Sequence, residues 1–243
     1  MSRRDSSIST TAAELAMDEP ILPQHPTLAN AEVMSVQWLF EPLWPGTRVM
    51  ARVERGELTL TDEFGDPVNA EIDEAADVLA DAIRADDAVV DAVWSAQPFV
   101  GDGSQVRARL PEPDRPSGAP EAPNPLEAER RRAFVAVDLV QLDGQPLHDI
   151  PFQERRRLLE ALIEVGTFVR VSPAVKHPLA SWVSSWTREG FDFYIAKHIN
   201  SRYTPGQRNE DLLKLSLQLR EPRGLLGSLL GGRRERIRRI RDK

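Results

Sequence analysis

Phe40-Glu41-Pro42-Leu43-Trp44-Pro45-Gly46-Thr47-Arg48 runs directly into a hairpin signal. Residues 49–54 and 57–61 alternate apolar and polar side chains around the two-residue turn Arg55-Gly56. Further on, Ala76, Leu79, Ala80 and Ile83 fall at helical spacing within 75–84, and 88–94 has the composition of a buried strand. Residues 134–140 form a short apolar strand. Pro151 opens a helix in which Leu158, Leu159, Leu162 and Ile163 face inward until Gly166 ends it. A shorter helix is expected over 179–187, with strands over 193–199 and 213–219. Alternating strands and helices with a hairpin predict an α+β domain.

The chain of 243 residues is long enough to bury a sizeable core within one large domain. Residues 1–30, rich in Ser, Thr, Pro and acids, are expected to be a disordered leader, and 31–220 the folded body. Within it, 111–125 are so dense in Pro, Ala, Glu and Gly that they predict a surface loop. Residues 221–243 form a basic tail. Leu226, Leu230, Ile237 and Ile240 share one helical face, although Gly231-Gly232 weakens a continuous helix.

The absence of cysteine excludes a disulfide framework or thiolate metal site and suits a reducing cytoplasm, the expected location. Neither a secretory segment nor an apolar run long enough to span a bilayer is present. His25, His148, His177 and His198 lack metal-ligand spacing, so no metal site is expected from them. Lysine is scarce: Lys176, Lys197, Lys214 and Lys243 are the four in the chain.

The opening stretch resembles the E-P-K-x-D-G-x-R motif of ATP-dependent DNA ligases and RNA-capping enzymes. Four later pieces continue the resemblance in order. The first, Ala133 to Gly144 followed by Pro146 to Glu160, is similar to F-D-L-L-x-L-D-G…L-P-L-x-E-R-R-x-L-L. Phe191 to Lys197, Ser201 to Gly206 and Asp211 to Ser216 resemble E-G-x-x-x-K, S-x-Y-x-P-G and W-L-K-x-K. The coverage runs from about residue 38 to 219, with the flavour of the bacterial end-joining ligases. The fold implied is the ligase adenylation domain, an ATP-grasp-like nucleotidyltransferase of two antiparallel sheets flanked by helices around a nucleotide cleft. ATP and magnesium are the family's cofactors.

The resemblance also marks departures. The family's nucleophilic lysine is Leu43 here, which has no lone pair to form a phosphoramide. The aspartate of the same motif is Pro45, the glutamate of D-G-E is Val93, and the aromatic that stacks on adenine is Val137. The fourth motif's glutamate is Asp192, the fifth motif's second lysine is Ser216, and a nucleic-acid-facing arginine is Glu63. Arg48, Lys197 and Lys214, with Asp192, are the candidate nucleotide or phosphate contacts, and Gly46 and Asp138 also match. A cleft plugged by Trp44 is the competing expectation. No OB domain is expected in the residues after the last recognisable strand.

Charge bears on partners. The net charge is −7, and between Glu57 and Asp91 every charge except Arg84 is negative. Residues 233–243 hold seven basic side chains against two acidic ones, a net of +5. Arg233, Arg234, Arg236, Arg238, Arg239 and Arg241 are therefore candidates for nucleic acid or anionic membrane. Three functions stand: a non-catalytic ligase-like protein binding a protein or nucleic-acid partner, in a DNA-repair setting; an active ligase or nucleotidyltransferase using Lys197 or Lys214; and a membrane- or scaffold-associated protein acting through its tail.

Overall fold

The computed structural model describes residues 20–96 and 132–217. The loop at 111–125, residues 1–19 of the expected leader, and the tail with Arg233, Arg234, Arg236, Arg238, Arg239 and Arg241 lie outside them. Two sheets are present among the described residues. The smaller has the order β1-β10-β9-β2, built from β1 (His25–Leu28), β2 (Trp38–Pro42), β9 (Phe193–His198) and β10 (Arg208–Ser216). The larger has the order β4-β3-β5-β6-β7, from β3 (Thr47–Glu54), β4 (Glu57–Thr61), β5 (Asp87–Ser95), β6 (Ala133–Leu142) and β7 (Gln145–Pro146), with β8 (Val169–Val171) also pairing with β6. Pairing is antiparallel except for β1 with β10 and β8 with β6. The architecture is the expected α+β one, two mainly antiparallel sheets flanked by helices.

The hairpin forms where expected. Arg55 and Gly56 both take positive φ, 53° and 84°, which gives the turn a twist matched to β3 and β4. The expected boundary at residue 30 differs from the structure: β1 pairs with β10, so residues 25–28 belong to the sheet. Its sequence, with Pro26 and no alternation, carries no strand signal, and an edge position tolerates the missing donor. Pro42 likewise ends β2, the other edge.

Two helices follow the hairpin, α1 (Ala70–Asp73) and α2 (Ala76–Ala82); α3 (Phe152–Leu162) and α4 (Ala180–Arg188) come later. One face of the large sheet, including Val49, Ala51, Val90, Ala92 and Phe134, packs with Leu79 of α2 and Leu159 and Leu162 of α3. The opposite face contributes Val93, Val135 and Val137 to a second core with Phe40, Trp44, Trp186 of α4 and Leu215. Pro151 caps α3 with no side-chain bond; the N–H groups of Phe152 and Gln153 donate instead to the carbonyls of Ser201 and Ile199, at 3.0 and 2.9 Å. That anchorage ties the start of α3 to the loop after β9. Among the described residues, no helix is long and apolar enough to cross a membrane.

Candidate functional site

Between the sheets lies a cavity of about 60 Å³, lined mainly by Pro42, Leu43, Trp44, Val93, Val137 and Ile195, with Glu41, Arg48, Asp138 and Lys197 as its charged groups. Strand alternation explains the membership. Arg48 of β3 pairs with Val93 of β5, and Lys197 of β9 with Leu212 of β10, so each sheet turns these residues to the same side. Asp138 needs a further device. Ala92 pairs with Ala136 but Asp91 with Asp138, leaving Val137 as an extra residue. This bulge allows consecutive residues, Val137 and Asp138, to line one cavity.

The turn entering β3 is held by a glycine. Gly46 has φ +143°, and a Cβ placed there would meet the Trp94 carbonyl oxygen at 2.1 Å. Strain of this type costs on the order of 1–3 kcal/mol before the clash is counted. Gly46→Ala is therefore expected to lower the urea midpoint clearly with an unchanged slope; an unaltered midpoint would refute the close approach.

Two of the three cationic candidates, Arg48 and Lys197, are brought within ion-pair distance of buried acids. Arg48 makes a two-point ion pair with Asp91, which is fully buried. Burial lowers the pKa of the Arg48 guanidinium, but the charge of Asp91 and its hydrogen bond outweigh that, and the net direction is upward. Tyr203 donates its hydroxyl to the same carboxylate at 2.8 Å. Burial, then the Asp91 charge, pushes the phenol well above its ordinary range, so it remains a donor. Lys197 donates to the Val137 carbonyl at 2.7 Å, lies 3.2 Å from Glu41 and sits 4.6 Å from the Phe152 ring centroid. Asp138 receives Arg155 in two bonds of 2.8 and 2.9 Å, both side chains being buried.

Lys214 lies opposite Ile195 on β10, two residues along from Leu212, and so shares their side of the sheet. Its ammonium stands 4.1 Å from the Phe193 ring centroid rather than in the cavity lining. Asp192 is exposed and outside that lining. Pro45 is also exposed. Trp44 forms a wall: it is buried edge-on against Phe191 at 5.1 Å, and its Nε1 donates to Ser172 Oγ at 2.9 Å. Sequence reasoning missed the acids and arginines that occupy the cations' neighbourhood: Glu41, Asp91, Arg155 and Arg156. The run Glu154 to Arg157 reads as a solvated helix face, although Arg155 is completely buried.

Comparison with known proteins agrees with this geometry. Residues 27–216 match the ATP dependent DNA ligase domain. Over 189 residues the chain is 30% identical to the multifunctional non-homologous end joining DNA repair protein LigD of Mycobacterium tuberculosis, covering 78% of this chain and 22% of that protein. It is 27% identical over 202 residues to DNA ligase C1 of Mycolicibacterium smegmatis, covering 79% and 57%. The chain thus spans about a fifth of the length of LigD. Among solved structures, the ligase domain from M. tuberculosis LigD is 26% identical with a TM-score of 0.57, covering 81% of this chain and 59% of that one. A mycobacterial DNA ligase D complexed with ATP and MES is 27% identical with a TM-score of 0.58, covering 82% and 61%. With the motifs in order and the two-sheet cleft in common, the chain belongs to the ATP-dependent DNA ligase domain family.

Proposed function

We propose that this ligase-family chain acts by non-covalent binding, with a protein or nucleic-acid partner in DNA repair, and not by covalent nucleotidyl transfer. The observation that carries the proposal is the position matched to the family's nucleophile: Leu43, on the wall of a cavity whose cations Arg48 and Lys197 already have carboxylate partners. Acyl, phosphoryl and nucleotidyl adducts need an electron pair at that position, which an aliphatic side chain does not supply. Lys197 as a substitute nucleophile would have to leave Glu41 and the Val137 carbonyl and lose a proton as well.

ATP and magnesium, the family's cofactors, fit this cavity poorly. A space of about 60 Å³ holds a few waters, each needing on the order of 10–15 Å³. A nucleotide would have to displace Leu43, Trp44, Val93 or Val137. Val93 stands at the position of the family's D-G-E glutamate, which the resemblance implies helps hold the ribose or the metal, and among the described residues no His, Cys, Asp and Glu cluster suits a metal ion.

Saturating ATP with magnesium is therefore expected to leave the thermal melting curve unchanged. Binding at a hundredfold excess over Kd would add about 2.7 kcal/mol and move the midpoint by roughly 5 °C or more. A rise of that size, abolished by Lys197→Ala, would restore a nucleotide site. The DNA-repair setting rests on the LigD relatives, and the arginines of 233–241 are the proposed polyanion contacts.

A further inference from the structure

The outer face of α1 and α2 exposes Glu71, Asp73, Glu74, Asp77 and Asp81, and neither helix has a basic residue in its last turn. Asp77 and Asp81 stand four residues apart, where like charges repel, and Asp81 lies in the last turn, where the helix dipole disfavours an anion. Among the described residues, Arg132 answers Glu71 at 3.1 Å and no ion pair answers the other four.

Beside these acids runs a groove of about 460 Å³, lined by Glu71, Glu74, Val78, Trp94, Arg132 and Phe168. Val78 and Phe168 are 40% and 44% exposed. Trp94 is 8% exposed, and its Nε1 has no acceptor among the described residues. An occupant must bring cations for the rim and apolar side chains for Val78 and Phe168.

One segment of the chain itself has that chemistry. Leu225, Leu226, Leu229 and Leu230 precede the arginines of 233–241, and Ile237 and Ile240 lie among them. Its point of departure is also suitable. The Leu217 N–H donates to the Asp192 carbonyl at 2.8 Å, neighbouring Phe191 packs on Trp44, and Gly46 abuts the Trp94 carbonyl. The chain therefore leaves the small sheet at the end of the molecule where Trp94 lies. Each further residue extends its reach by about 3.3 Å, so length does not limit contact.

We propose that residues 221–243 dock in cis in the groove between α2 and Trp94–Phe168, with their arginines against the α1–α2 acids. The polyanion contacts are then masked until a stronger anion competes for them. This inference is independent of the chemistry of the cleft.

The absence of cysteine makes a disulfide test clean. In the full chain, Val78→Cys with Leu230→Cys should oxidise to an intramolecular disulfide about tenfold faster than Val36→Cys with Leu230→Cys, because docking raises the effective concentration at one site. Val36 is a control, 74% exposed on the segment before β2 of the other sheet. Half-molar salt, or Glu71→Gln, Glu74→Gln, Asp77→Asn and Asp81→Asn together, should reduce the faster rate to that of the control. Equal rates in the two pairs, salt-insensitive rates, or disulfides formed mainly between molecules would each overturn the proposal; the last would identify a second copy as the occupant.

Discussion

No nucleotide is expected to remain covalently attached when the protein is incubated with α-labelled ATP and magnesium and then denatured. The expectation follows from Leu43 at the nucleophile's position and from the engagement of Lys197 by Glu41 and the Val137 carbonyl. Loss of a nucleophile alone reduces turnover by on the order of 10⁶ in a well-studied hydrolase, so label should stay at background. Leu43→Lys is not expected to restore nick sealing. Pro45 and Val93 still stand where the family has an aspartate and a glutamate, and Val137 still replaces the adenine-stacking aromatic. The assay is denaturing electrophoresis followed by peptide mapping. A stoichiometric band on Lys197 or Lys214 would overturn the non-covalent reading and return the chain to the active ligases.

Asp138→Ala should be among the most destabilising single changes in the described fold. It strips both acceptors from Arg155, which is 0% exposed and whose remaining bonds go to the carbonyls of Ile150 and Ser201. Removing one partner of a buried ion pair costs about 3–5 kcal/mol, because the other charge is left in a poorly solvating interior. Asp138→Leu combined with Arg155→Met should recover much of that loss, since the apolar pair leaves no uncompensated charge. Urea titration of the single and double variants measures both. A loss below about 1 kcal/mol for Asp138→Ala, the range of an exposed pair, would show that Arg155 finds solvent or another acceptor.

Much of the architecture is legible from local pattern. The hairpin around Arg55-Gly56, the helix after Pro151 and the strands before Asp143 and after Asp192 can be read because side-chain period and turn chemistry are short-range properties. Strand β1 escapes such reading: Pro26 and the absence of alternation conceal a segment whose partner, β10, lies about 180 residues away. Strands β7 and β8, of two and three residues, are too short for any period to appear. The bulge at Val137 is likewise invisible beforehand, since it exists only in the register between β5 and β6.

For the site, the division has a physical basis. Residue type alone determines that position 43 offers no nucleophile and position 93 no carboxylate, because the capacity to form a phosphoramide or hold a metal belongs to the side chain itself. Whether a cation is available is a property of space. Arg48 and Asp91 come from adjacent strands, Asp138 and Arg155 from a bulged strand and a helix, and Lys197 and Glu41 from neighbouring strands of the other sheet. In the sequence these are separate charges that water would solvate; only the tertiary fold, by removing that water and setting each acid within a few ångströms of a base, makes each the other's partner.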